Sequence, residues 1–390
     1  MLFSQVKGQN GLINKMISVI NRNHFPHAIL ISGKDGYGNL AVALSLAQYL
    51  SCTNKQTKEQ LVEQTSLMAD ACGECPSCKK YAKLSHPDLH IFFPTSTTTK
   101  VKKDAKSSVF MAEFRDFVLS NQGYGDINDW LAFIGAETKQ GIINVADADE
   151  IISLLSMKTY ESQYKIVVVW NVERMNVQAS NTILKILEEP FPNTVFIFTT
   201  EHRDKILPTI LSRVQQINLN KLDDSIIEQE VRKLHPDFSD SDVKREVMLS
   251  EGNLINIQAS NMERMQEYFQ LFIEVNKLAF GFRKDIASII DFVGRFGKFN
   301  KEKQKHFLSY YLKTIDKCWQ YNLGIPMIQH PLEMANDKFK SNFPKFITIH
   351  NLEGIFSVME KAQKNIDSNA NANINLTNMI IKLGMQFEKR

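Results

Sequence analysis

Short apolar runs alternate with amphipathic stretches over residues 1–220. Five runs read as strands: Ala28–Ser32, Leu89–Phe93, Lys165–Trp170, Thr194–Thr199 and Gln215–Leu219. Two cores among them, Ile166-Val167-Val168-Val169 and Val195-Phe196-Ile197-Phe198, are continuously apolar. Such runs suit strands covered on both faces, so the pattern predicts an α/β fold, a parallel sheet between helix layers. Between these two strands, Val177, Ile183, Leu184, Ile186 and Leu187 predict a helix over 176–189, ended by Pro190.

Residues 96–136 break this rhythm and read as an insertion. A Thr/Ser run and Lys100, Lys102, Lys103 and Lys106 suggest an exposed loop. Its basic side chains suit either a solvated surface or a contact to DNA or an acidic partner. Phe110, Phe114, Phe117 and Val118 then fall at helical spacing, with Trp130 as an anchor to the core. Beyond Leu219 the chain becomes helical and charged. Residues 221–262 predict a small helical domain with turns at His235-Pro236 and Glu251-Gly252. Residues 263–390 predict a longer helical unit, broken by the Asn/Ala run at 369–375, with a last helix over 377–387.

The most informative turn lies between the first strand and its helix. Gly33-Lys34-Asp35-Gly36-Tyr37-Gly38-Asn39-Leu40 has the glycines and the strand–turn–helix setting of a phosphate-binding loop. A working loop places Lys and then Ser or Thr after its last glycine, for the β/γ-phosphates and Mg²⁺. Here Asn39 and Leu40 stand in those places, with neither charge nor metal-binding oxygen of the required kind. Lys34 sits in the turn and is expected to face solvent. The strand at Ile166–Val169 continues into Trp170-Asn171-Val172-Glu173, where an active nucleotidase carries Asp and then Glu. Trp170 ligates no metal, Asn171 is no base, and Glu173 is expected to point elsewhere. ATP binding and hydrolysis within this chain are therefore not expected.

Composition changes the picture little. Hydrophobic content of 43% and charged content of 23% are those of an ordinary globular protein, and a net charge of +3 does not by itself imply a nucleic-acid partner. The start, Met1-Leu2-Phe3-Ser4-Gln5, lacks the pattern of a secretory signal, and no apolar run approaches the roughly 18 residues of a membrane helix. The expected location is cytoplasmic. In a reducing compartment clustered thiols point to metal rather than disulfides. Cys72-Gly73-Glu74-Cys75-Pro76-Ser77-Cys78 is such a cluster, and Cys52, with nineteen residues between it and Cys72, is the plausible fourth donor. Four thiolates make a closed tetrahedral zinc site with no position for substrate, so Cys52, Cys72, Cys75 and Cys78 are expected to bind structural zinc. Cys318 reads as a buried small hydrophobe.

Leu211-Ser212-Arg213-Val214 follows the strand at Thr194 and a short helical stretch. Arg213 in that place suits either a surface salt bridge or a finger reaching a nucleotide on a neighbouring subunit.

These motifs together resemble the delta-prime subunits of the bacterial DNA polymerase III clamp loader, an AAA+ family related to gamma/tau. The resemblance is carried by several blocks. They are His27 to Gly33 entering the loop, the four-cysteine module with His86-Pro87-Asp88 after it, and Leu184-Lys185-Ile186-Leu187-Glu188-Glu189-Pro190. Leu211-Ser212-Arg213-Val214 and Asn371-Ala372-Asn373 complete the set. Val214 replaces the family's Cys, the interval between Cys52 and Cys72 is longer than usual, and residues 96–136 are outside the likeness.

The resemblance implies an AAA+ core over 1–220 with the zinc module at 52–78, a helical lid over 221–262 and a helical collar over 263–390. It also implies a non-catalytic stator in a hetero-pentameric ring with gamma/tau and delta-type subunits, helping to load the sliding clamp on primed DNA. Ser212 and Arg213 would then act in trans on the neighbouring ATPase, while Gly33, Gly36, Gly38 and Asn39 form a degenerate loop. The alternatives are an ATP-hydrolysing gamma/tau-like motor and a zinc-knuckle nucleic-acid module, the latter suggested by Lys79, Lys80 and Lys83.

Overall fold

The structure, a computed structural model, describes residues 1–22, 25–61, 66–257, 259–324 and 342–389. Among the described residues seven strands form, in chain order: β1 (Ala28–Ser32), β2 (Gln56–Thr57), β3 (Ala69–Asp70), β4 (Leu89–Phe92), β5 (Lys165–Val169), β6 (Thr194–Thr200) and β7 (Gln215–Asn218). The helices used below are α1 (Asn10–Asn21), α2 (Asn39–Ser51), α3 (Pro76–Ala82), α4 (Met111–Ser120), α5 (Ile127–Phe133), α6 (Val145–Ser156), α7 (Val177–Glu188) and α8 (Pro208–Leu211). They continue with α9 (Asp224–Leu234), α10 (Asp240–Ser250), α11 (Ala259–Phe280), α12 (Ile286–Phe296), α13 (Lys301–Asn322), α14 (Leu352–Asp367) and α15 (Ala372–Phe387).

The five predicted strands form one parallel sheet in the order β4-β5-β6-β1-β7. Every residue of β5 and β6 is buried, which is why these segments read as unbroken apolar runs. Because the strands run the same way, their C-terminal ends share one edge. Loops leaving β1, β4, β5 and β6 therefore meet there, the usual place for a ligand in an open parallel sheet. The helix between β5 and β6 ends close to prediction: the Asn176 side chain caps α7 by accepting from the Ala179 N–H, and Pro190 follows its end.

Residues 96–136 carry two helices, α4 and α5, joined by the turn at 121–126. They pack on the core through an aromatic cluster. Phe93 stacks on Phe114 with centroids 3.7 Å apart, and Trp130 meets both edge-on at 5.3 and 5.2 Å. Trp130 also donates to the Pro94 carbonyl at 2.8 Å, so the one polar atom of this buried ring is satisfied.

The chain divides into two compact units, the first comprising Met1–Glu137, Gly141–Ser239 and Ser250–Asn256 and holding the sheet. The second is helical and has its own core, in which Phe272, Phe296, Phe307, Tyr311, Leu376 and Leu383 are buried. Cys318 lies in that core, and burial pushes its thiol up to about 12. The last helix starts at Ala372, five residues before the predicted start. The Asn-rich run does not break it but caps it: Asn371 accepts from the Ile374 N–H, while Asn375 lies inside the helix and bonds Asn365 and the Ala362 carbonyl of α14. Among the described residues no helix is long and apolar enough to cross a membrane.

Candidate functional site

The loop after β1 passes through a short 3-10 turn at Asp35–Tyr37 before entering α2. Gly38 takes φ +97°, which only glycine adopts without strain, and hands the chain to α2. The Asn39 side chain does not project from the loop. It is fully buried and donates to the Gly33 carbonyl at 2.5 Å, with a longer contact to the Thr200 carbonyl. It thus cross-links the loop to its own start and to the end of β6. Leu40 is buried beside it. Lys34 is half exposed, 4.0 Å from Glu251, as expected of a turn residue facing solvent.

Two other groups lie on the loop's glycines. A Cβ on Gly36 would fall 1.5 Å from the Asn253 Oδ1, and a Cβ on Gly38 would fall 3.0 Å from the Tyr124 ring. Both positions therefore require glycine for close approach by a side chain from elsewhere in the fold.

Trp170 is fully buried and packs against Phe114 and Phe117 of α4, with centroids 5.6 and 6.1 Å apart. A bulky ring at this strand end has become the anchor of the insertion. Asn171 adopts φ +54° and turns the chain back, and the short turn at Val172–Arg174 follows. This corrects the expectation for Glu173: it is folded over the sheet edge and accepts from the Glu201 N–H at 3.2 Å. Asp35, Asp126, Glu173 and Glu201 consequently gather near the loop, with Arg174 as a partly offsetting charge. Burial first, then the charges of Glu201, Asp126 and Glu173, push the Asp35 carboxyl well above the usual range. Its oxygens accept no hydrogen bond among the described residues. Glu201 keeps its side chain open to solvent, yet the protein packed around it, with Asp126 and Glu173, pushes it up to about 7.

The cysteines are brought together at the other end of α2. Cys52 ends that helix, the β2–β3 hairpin and the next turn bring Cys72, and Cys75 caps α3 with Pro76 in its first turn. The four sulfurs lie within 4.8 Å of one another. The Cys52–Cys72 and Cys72–Cys78 sulfurs are 3.7 and 3.9 Å apart. Four bonds of about 2.3 Å at tetrahedral angles put sulfurs about 3.8 Å apart, so the set fits a four-coordinate metal ion. Backbone N–H groups are aimed at the sulfurs: Cys72 N to Cys52 Sγ at 3.3 Å, Cys75 N to Cys72 Sγ at 3.3 Å, Cys78 N to Cys75 Sγ at 3.4 Å. Burial works to raise the Cys75 thiol, but hydrogen bonds from Cys78 and Thr53 outweigh it and hold the group down at about 6.

The His86-Pro87-Asp88 turn follows α3, and Asp88 accepts from the N–H groups of Tyr160, Glu161 and Ser162 at 2.6, 2.9 and 2.8 Å. Burial would raise its pKa, but these three bonds keep it below the usual carboxylate range. Of the basic residues near the knuckle, Lys80 is paired with Glu161 at 2.5 Å. In the insertion Lys106 is paired with Glu150 at 2.9 Å, while Lys100, Lys102 and Lys103 are exposed.

Arg213 lies just past α8, on a different element from the loop. Its guanidinium is paired with Glu188 at the end of α7, and it donates to the Thr209 carbonyl at 2.8 Å and the Ser212 Oγ at 3.0 Å. The pair joins the Leu-Glu-Glu-Pro block to the Ser-Arg block. Asp35, Asp126 and Glu201 did not stand out in the sequence, because nothing in their spacing shows that three separate loops converge beside Glu173. Tyr124 between Gly123 and Gly125 did carry a signal, since paired glycines around a large side chain mark close backbone approach.

A family model described as DNA polymerase III, delta subunit, matches residues 8–223. The chain is 26% identical over 228 residues to DNA polymerase III subunit delta' of Bacillus subtilis, across 57% of this chain and 52% of that protein. It is 25% identical over 227 residues to subunit tau/gamma of Haemophilus influenzae, across 58% of this chain and 25% of that protein. The match thus reaches about half the length of the first relative and less of the second. A crystal structure of a DNA polymerase III gamma subunit-related protein from Thermotoga maritima aligns over 96% of this chain and 99% of its own, with 16% identity and a TM-score of 0.38.

Proposed function

Since the chain belongs to the DNA polymerase III delta-subunit family, among the delta-prime and tau/gamma clamp-loader relatives, we propose that it is a non-catalytic delta-prime subunit, a stator that helps load the sliding clamp on primed DNA. One observation carries this reading: Asn39, standing where a phosphate-binding lysine belongs, is buried and bonded back to Gly33. A neutral side chain turned into the loop offers a triphosphate no counter-charge, and Leu40 offers Mg²⁺ no ligand. The core over 1–220 is read as AAA+, 221–262 as its lid and 263–390 as a collar that joins a ring of gamma/tau and delta-type subunits in the cytoplasm.

In that ring Arg213 serves a neighbour. It is partly exposed and tied to Glu188 by a surface ion pair. Such pairs are worth about 0–1 kcal/mol, so the guanidinium can leave for a γ-phosphate at little cost. Cys52, Cys72, Cys75 and Cys78 would hold zinc, which supplies a structural cross-link and no reaction chemistry. The test is an ATPase assay on the loader assembled with motor and delta-type subunits. Arg213→Ala is expected to fold normally and lower the DNA-stimulated rate at the dependent site by roughly 10³–10⁵-fold. Unchanged turnover by the assembled variant refutes the finger.

The second reading, a gamma/tau-like motor, is favoured by the tau/gamma match alone. Phosphate release by the isolated chain would support it; its absence supports the stator.

A further inference from the structure

The insertion leaves the C-terminal end of β4, at the same sheet edge as the phosphate-type loop. Its turn at 121–126 runs over the first turn of α2. Gly123 takes φ +75°, and a Cβ there would stand 3.1 Å from both the nitrogen and the Cα of Ala41. Main chain thus lies directly on main chain, at the helix N-terminus whose N–H groups would otherwise face an anion. Tyr124 comes next and lies across Gly38; it is only 4% exposed. Its hydroxyl accepts from the Lys7 N–H at 2.8 Å, which ties the ring to the N-terminal segment. Gly125 packs under Phe117, and Phe117 packs on Trp170. The turn is therefore braced by the aromatic that stands at the lost metal-binding position.

We propose that residues 96–136 are a built-in plug: Gly123 and Tyr124 occupy the ground over Gly38 and the start of α2 that a nucleoside triphosphate would need. The reading rests on the proposal above only in taking residues 33–40 as a former nucleotide loop. It adds that nucleotide is excluded by bulk, beyond the missing charge at position 39. The same contacts hold the loop in one shape whatever the nucleotide concentration, a property suited to a rigid member of a moving ring.

The experiment uses the full chain, with Mg·ATP and a fluorescent ATP analogue as probes. Hydrogen exchange over residues 36–41 and analogue titration are read on wild type, Tyr124→Phe, Tyr124→Gly and Tyr124→Leu. The last keeps an apolar side chain at the site in case glycine unfolds the turn. Wild type and Tyr124→Phe are expected to show neither protection nor binding up to about 1 mM, and whichever truncation folds is expected to bind at least about tenfold more tightly. Protection of 36–41 in the wild type overturns the plug, as does a folded truncation that binds no better than wild type. ATP bound by the wild type without hydrolysis would leave the Arg213 proposal standing, so the two fail separately.

Discussion

Helix α2 joins two sites that have gone opposite ways. At its start the loop at 33–40 has the glycines of a phosphate-binding loop, while Asn39, Leu40 and Trp170 carry other chemistry and Tyr124 lies across Gly38. At its end, Cys52 meets Cys72, Cys75 and Cys78 with sulfur spacings near those of a tetrahedral site and N–H groups already aimed at them. One end has a glycine turn without phosphate-binding side chains; the other has four thiols spaced as a metal site requires. The contrast teaches that a glycine turn can serve the strand and helix it joins without any ligand, whereas four thiols facing one another have little to hold them together without a metal ion. In a module this small, with two-residue strands and a short α3, there is little core to replace the metal.

The largest effect should appear at the cysteine end. Cys78→Ser, or removal of metal by a chelator, is expected to abolish zinc binding and unfold residues 52–82 locally. Structural zinc of this kind contributes on the order of 10 kcal/mol. Metal analysis with hydrogen exchange reads this out, and unchanged protection without metal would erase the contrast between the two ends.

A smaller effect is expected where Trp170 anchors the insertion. Trp170→Ala leaves a cavity under Phe114 and Phe117 and should cost about 3–5 kcal/mol in urea unfolding. It should also loosen the turn at 121–126. A loss below about 1 kcal/mol would mean that the insertion is held by other contacts.

The smallest concerns the acids beside the loop. Glu201 is pushed up to about 7, above its ordinary value of 4.5. The folded state therefore holds this proton more tightly than the unfolded chain does. The associated stability is present below pH about 4.5, declines as pH rises to about 7, and is gone above that. Burial is the largest cause of the rise; Asp126 and Glu173 add to it, and Lys34 and Arg174 oppose it. Glu201→Gln should remove this decline, comparing unfolding at pH 5 and pH 8. Solvent screening of an exposed group keeps the change within about 1 kcal/mol. An unaltered pH profile would show that Glu201 does not carry the dependence and shift it to the other carboxyls that burial raises, Asp35, Glu173 and Asp147.

The sheet was legible because β5 and β6 are buried on both faces and so carry unbroken Val, Ile and Phe. The start of the last helix was not, because Asn371 and Asn375 read as breakers until α14 supplies partners for them. The knuckle was legible since its donors are a single residue type at tight intervals. Glu173 was misjudged because one left-handed residue, Asn171, reverses the chain before it.

Residue identity was enough to show that position 39 has no ammonium, position 40 no hydroxyl, and that the chain carries a run of closely spaced thiols. Those are properties of side-chain chemistry, present in any fold. Folding alone brought Tyr124 onto Gly38, Asn253 onto Gly36, Arg213 to Glu188, and three acids to the side of Asp35. Each of these joins segments far apart in the chain. Such contacts arise from the packing of the whole sheet edge, and no local pattern of apolar and polar positions encodes them.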